Sequence, residues 1–168
     1  MRLIAALLAG WMVVAPTVAD AVSMTNDPKG FRDIIWGTAL HVRTDLEPTT
    51  RGRNIIDYRF KNSSPSFADI PVESLQLSTV DEQFARVTVR YRGEETHKKI
   101  LAYLESEFGP TDRLPGQMLR GLNQQYTWRG SESEINLTYQ AGTERGYLFL
   151  DSRTLAPRFN DLLADTAE

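Results

Sequence analysis

The chain has 168 residues, with 19 Lys and Arg against 22 Asp and Glu, a formal charge of -3 and no cysteine. Disulfides, thiolate chemistry, Cys-ligated metal and a cysteine-linked lipid anchor are thereby excluded, and the acidic balance argues against nucleic acid as the main partner. An apolar fraction of 41% with 24% charged residues suits one globular domain, not a disordered, collagen-like or coiled-coil chain.

Residues 1–21 read as a secretory signal peptide. Arg2 gives the positive end, Leu3 to Ala15 is a continuous apolar stretch, Pro16 closes it, and Ala19-Asp20-Ala21 offers a small-x-small cleavage pattern. The run is short for a membrane span, and no second run follows, so no transmembrane segment is expected after cleavage. Residues 22–30 read as a flexible leader, 31–164 as a single α+β domain and 165–168 as a frayed tail.

Along the domain, Phe31 to Gly37 reads as a short strand or extended lead-in, and His41 to Gly52, with Pro48, as turn-like. Asn54 to Lys61 alternates, with Ile56, Tyr58 and Phe60 on one face and Asp57, Arg59 and Lys61 on the other. Val72 to Val80 and Phe84 to Arg92 form the clearest hairpin, turning at Asp81-Glu82-Gln83. A helix follows from about Glu94 to Phe108, where His97, Leu101, Leu104 and Phe108 share a face, and Gly109-Pro110 stops it. Residues 111–124 read as a linker. Strands are expected around Gln125 to Trp128, Glu134 to Gln140 and Gly146 to Asp151, then a last helix with Leu155, Phe159 and Leu162 or Leu163 on its apolar stripe. The order predicts a predominantly antiparallel sheet with two amphipathic helices in a single layer on one face. Its expected core includes Trp36, Leu75, Leu77, Val87, Val89, Leu101, Leu104, Phe108, Trp128, Ile135, Leu137 and Phe159.

Few residues offer reactive chemistry. The two histidines are His41 and His97; a zinc site needs three protein ligands, and neither histidine lies in a metal-binding spacing. His97 belongs to the apolar helix face and reads as structural. A weak catalytic alternative joins His41 to the carboxylates of Glu132 and Glu134, which could face the same way at a strand edge. No phosphate-cradling loop and no nucleophile elbow are present, and no cofactor is implied. The sharper feature is basic: Arg86, Arg90 and Arg92 alternate on one strand face, and Arg59 and Lys61 join them if their strands are neighbours. Such a face suits an anionic component or an acidic protein surface.

Gly30-Phe31-Arg32 with Trp36-Gly37, and later Tyr126-Thr127-Trp128-Arg129-Gly130, resemble the GFR…WG amino-terminal element and the Y.W.G strand of an uncharacterised family of small exported bacterial proteins. The resemblance spans residues 30 to 153. It implies a periplasmic or secreted location in a Gram-negative bacterium and implies no reaction and no catalytic residue. The residues together lead to an expected non-catalytic periplasmic binding or envelope assembly module, partnered by an envelope protein or an anionic envelope component. The alternatives are a small envelope-polymer hydrolase, an inhibitor of a secreted enzyme, and a carrier of a small apolar ligand.

Overall fold

In the computed structural model, residues 24–52, 54–111 and 121–165 are described. The expected signal peptide, most of the linker and the last three residues of the expected tail lie outside them. Two short strands open the described chain, β1 (Gly30–Phe31) and β2 (Ile34–Ile35), which pair as a tight hairpin. A Cβ at Gly30 would overlap the Ile34 carbonyl, so this approach requires glycine. After a 3-10 turn at Leu40–Val42 come β3 (Leu46–Arg51) and β4 (Ile55–Phe60), then the small hairpin β5 (Ser66–Phe67) and β6 (Ile70–Pro71). Next are β7 (Ser74–Val80), β8 (Gln83–Arg92), the helix α1 (Glu94–Phe108), β9 (Asn123–Arg129), β10 (Ser133–Gln140), β11 (Arg145–Ser152) and the helix α2 (Ala156–Asp165).

Among the described residues, seven strands form one sheet in the order β3-β4-β7-β8-β11-β10-β9, every neighbouring pair antiparallel. The fold is thus α+β with a dominant antiparallel sheet and two helices, as the hydrophobic periodicity predicts. The strand order shows two meanders. One runs from β3 to β8. The chain then crosses through α1 to the far edge and returns through β9 and β10, so that β11 closes against β8.

Alternation separates the sheet into two unlike faces. On one, Leu75, Leu77, Val87, Val89, Leu137 and Leu148 meet Ile100 and Leu104 of α1, and all belong to one buried cluster. The side of α1 expected to be apolar therefore packs as read, with His97 buried among it. The second helix does not share that layer. Its Phe159 packs in a separate small cluster with Val80 and Ala85, and its ring lies 4.3 Å from the guanidinium of Arg86, a residue of the opposite face. The register of β7 and β8 shifts between Ser78 and Thr79. The extra residue is Ala85, which the bulge turns toward Val80, already on that face by alternation, to make an apolar landing site at one end of the otherwise polar face.

Two local readings change. The stretch expected to be a turn around Pro48 is the edge strand β3, with an irregular register between Pro48 and Thr50. Proline lacks an amide hydrogen and is accommodated at an edge, where a neighbour on one side is missing. Residues 24–30, expected to be a loose leader, are tied down. Met24 N–H donates to the Arg129 carbonyl and Thr25 N–H to that of Phe108. The Asp27 carboxylate accepts from Glu132 N–H at 2.7 Å, Ser133 N–H at 3.0 Å and the Ser131 hydroxyl at 3.0 Å. It thereby staples the β9–β10 turn, and a Cβ at Gly130 would run into it.

Candidate functional site

An apolar recess lies on the α1 side of the sheet. The β1–β2 and β5–β6 hairpins arch beside α1 and leave a cleft of about 500 Å³. Its floor is Ile135, Leu148 and Leu150 of β10 and β11, and Leu104 and Phe108 of α1 form one wall. Aromatic rings form the other side: Phe31 and Phe67 stack with centroids 6.3 Å apart, and Phe67 meets Tyr103 edge-on at 5.5 Å. Both contacts fall in the range of favourable ring pairs. The volume and the predominance of hydrophobic and aromatic lining match a small-molecule site. Arg32, Ala68 and Asp69 also line it, and all three hold left-handed backbone, φ 55°, 48° and 61°. For residues other than glycine this conformation is costly; here it lets two very short hairpins close.

Arg32 lies over two rings, its guanidinium 5.3 Å from the centroid of Phe31 and 4.5 Å from that of Phe60, and it donates to the Ser66 carbonyl at 3.2 Å. It borders a second, polar cleft of about 640 Å³. That cleft exists because β4 pairs with β7 only from Ile55 to Tyr58. Beyond Tyr58 the two strands part, and residues 61–66 span the gap.

The arginine face is arranged as the alternation predicts, but it is largely compensated. Across it runs a register row of Thr50, Asp57, Ser78, Arg86, Asp151, Glu134 and Arg129. Arg86 binds Asp151 through one guanidinium edge, Nε–H donating to Oδ1 at 2.6 Å and Nη2–H to Oδ2 at 3.1 Å, beneath the Phe159 ring. Burial pushes the Asp151 carboxyl up and the Arg86 contact pulls it back, leaving a raised value. Ser78 donates to Asp57 at 2.6 Å and Arg129 pairs with Glu134 at 3.1 Å. Arg59 pairs with Glu47 at 2.5 Å, Arg92 approaches Glu73 at 3.6 Å, and Lys61 donates to the Thr44 carbonyl at 2.8 Å. Arg90 is exposed, with Ser74 and Tyr147 as its register neighbours.

His41 sits exposed in the 3-10 turn, Glu132 is exposed between β9 and β10, and Glu134 is half-buried on β10. No hydrogen bond or ion pair joins His41 to either carboxylate; the neighbours of Glu134 across the strands are Asp151 and Arg129. Among the described residues no group of three or more His, Asp or Glu could hold a metal ion, and no helix is long and apolar enough to cross a membrane.

His97 is 3% exposed and stacks on Tyr139 at 4.4 Å. The Gln124 side-chain amide donates to the Gly121 carbonyl, which orients its oxygen toward His97 Nε2 at 3.2 Å and the Tyr126 hydroxyl at 2.9 Å. We therefore assign the proton to Nε2, with Nδ1 accepting from the Tyr91 hydroxyl at 2.8 Å. Burial holds this imidazole below its ordinary pKa. It fastens α1 to the sheet.

The two tryptophans singled out in the sequence, Trp36 and Trp128, each anchor a distant segment. Trp36 Nε1 donates to the Ser133 hydroxyl at 2.8 Å, and that hydroxyl donates to the Pro28 carbonyl. Trp128 Nε1 donates to the Gly109 carbonyl at 2.8 Å, where α1 ends. Both tryptophans thus tie strand turns to the amino-terminal segment and helix. Comparison with protein-family models, with curated proteins and with solved structures finds no match.

Sequence reading missed the cleft residues Phe31, Phe67 and Tyr103 as a group. The available signal was Phe67-Ala68-Asp69-Ile70, two apolar residues around a two-residue turn, which is a hairpin pattern.

Proposed function

We propose that this chain is a non-catalytic binding module of the Gram-negative envelope that carries a small apolar ligand in the cleft under α1. One observation carries the reading: a recess of about 500 Å³ lined by Phe31, Phe67, Tyr103, Leu104 and Leu148, open beside two strained hairpins. Leu104, Ile135 and Leu148 at its base are 0–1% exposed while Tyr103 and Phe108 are half-buried at its rim, so an apolar ligand leaves water by settling between the rim side chains and the base. The export signal read in residues 1–21 supports placing that activity in the periplasm. The test uses a solvatochromic alkyl probe titrated into wild-type protein and into Ala68→Trp. Ala68 is exposed at the rim, so the indole can fill the mouth while the floor stays intact. A saturable blue shift in the wild type that Ala68→Trp abolishes is expected. No saturable binding, or equal binding by the plugged variant, would contradict the reading.

A second reading, a docking surface for an acidic envelope partner, rests on Arg90 and its neighbour Arg92, both exposed on β8. Here Arg86 serves as a support, because it is committed to Asp151. Crosslinking in the native envelope should lose its partner in Arg90→Glu with Arg92→Glu if this face docks it; unchanged capture by the folded double variant would remove the reading.

A further inference from the structure

We infer that the ligand is an amphiphile with a neutral, hydroxyl-rich head, its apolar chain in the cleft under α1 and its head in the adjoining polar cleft. This rests on the apolar cleft being a binding site and adds the chemistry of the rest of the molecule. The two recesses share a border. Arg32 lines both, and along β5 successive residues divide between them, with Phe67 lining the apolar cleft and Ser66 the polar one. A ligand longer than the apolar cleft is led over Arg32 into the gap where β4 and β7 part.

The lining of that gap fixes the head chemistry. Asn62, Ser63, Ser64, Ser74 and Gln76 supply hydroxyls and amides, groups that both donate and accept. Its lining carries two arginines, Arg32 and Arg59, and two glutamates, Glu47 held by Arg59 and Glu73 approached from outside the cleft by Arg92. There is no excess of one sign to select an ionic head, whereas a polyol presents the same mixture of donors and acceptors as the wall. Arg32 uses one N–H on the Ser66 carbonyl; a guanidinium has five, which leaves it donors to offer a glycosidic oxygen at the border of the two clefts.

The experiment compares three twelve-carbon amphiphiles below their micelle concentrations by isothermal titration calorimetry: a dodecyl maltoside, a dodecyl polyoxyethylene ether and dodecanoate. Wild-type protein is expected to bind the maltoside about tenfold more tightly than the ether, the size of effect that one or two ordinary hydrogen bonds give. Ser63→Trp, on the exposed loop of the polar cleft, should bring the maltoside down to the ether's affinity and leave the ether unchanged. Ala68→Trp should abolish all three. Equal affinity for maltoside and ether, or tighter binding of dodecanoate, would overturn the inference while leaving the apolar site standing. Failure of every amphiphile to bind would overturn the apolar site itself.

Discussion

Under α1 the sheet presents Leu77, Val87, Leu137 and Leu148, none more than 1% exposed; on its other side the same strands present Ser78, Arg86, Asn136 and Phe149. The first face is held by shape and exclusion of water, so its cost function is volume. The second is held by pairing, Asp57 with Ser78, Arg86 with Asp151 and Glu134 with Arg129, so its cost function is the loss of a partner. The difference explains where room for a ligand arises. On the paired face Arg86, Arg129 and Arg59 are committed to carboxylates, and the recess of about 790 Å³ beside α2 is lined mostly by polar side chains, Glu134, Asn136 and Asp151 among them. On the packed face the short β1–β2 and β5–β6 hairpins cannot cover all that α1 leaves, and a cleft remains.

The largest expected effect breaks the packed face. Leu104→Ala removes a fully buried side chain that also forms the cleft wall, and should destabilise by about 4 kcal/mol in chemical denaturation. A loss under about 0.5 kcal/mol would place the helix stripe outside the core. Next is the paired face. Asp151→Ala leaves Arg86, only 15% exposed in its side chain, without its carboxylate and should cost about 3 kcal/mol. Replacing both partners, Arg86→Met with Asp151→Leu, should recover most of that loss, because an apolar pair carries no unpaired charge. If the double replacement is as damaging as the single one, this face is not governed by pairing.

A smaller effect sharpens the comparison through pH. His97 is buried on the packed face and its folded pKa lies below the ordinary 6.5. Below 6.5 the unfolded chain therefore binds more protons than the folded one. The stability is full above 6.5 and declines as the pH falls from there toward the lower folded value. Asp151 works in the opposite sense at lower pH, because burial raises its carboxyl. The His97 contribution is thus read as the difference between wild type and His97→Gln in urea midpoints from about pH 7.5 to about pH 5.5. The wild type should lose stability over this span and the variant should not; parallel curves would remove the role assigned to His97. The smallest effect is on the exposed end of the paired face, where Arg90→Glu with Arg92→Glu should change stability by less than about 0.5 kcal/mol.

How much of this was legible in the sequence follows from how local each signal is. The β7–β8 hairpin and α1 could be read from period alone, since Val87, Val89 and Tyr91, or Ile100 and Leu104, repeat within one element. β3 could not, because Pro48 and the surrounding polar residues suit an edge strand and a turn equally. The seating of residues 24–30 depends on Asp27 meeting a turn more than a hundred positions away, and no local pattern carries that. The same holds for the arginine stripe. Alternation correctly put Arg86 on the polar side, but its partner Asp151 lies 65 residues on, and only the β8–β11 pairing makes it a structural group. The cleft was least visible, being assembled from a two-residue strand at Phe31, another at Phe67 and the flank of a helix at Tyr103.

The claim that the recess under α1 receives an apolar ligand is tested most directly by methyl NMR. Protein labelled at Ile and Leu methyls is titrated with the dodecyl maltoside below its micelle concentration. Ile135, Leu148, Leu150 and Leu104, which line the cleft, should shift together along one saturable curve, while Leu46 and Leu77, buried elsewhere in the same core, stay in place. Shifts centred on Leu46 and Leu77, or no saturable shift at any of the four cleft residues, would contradict it.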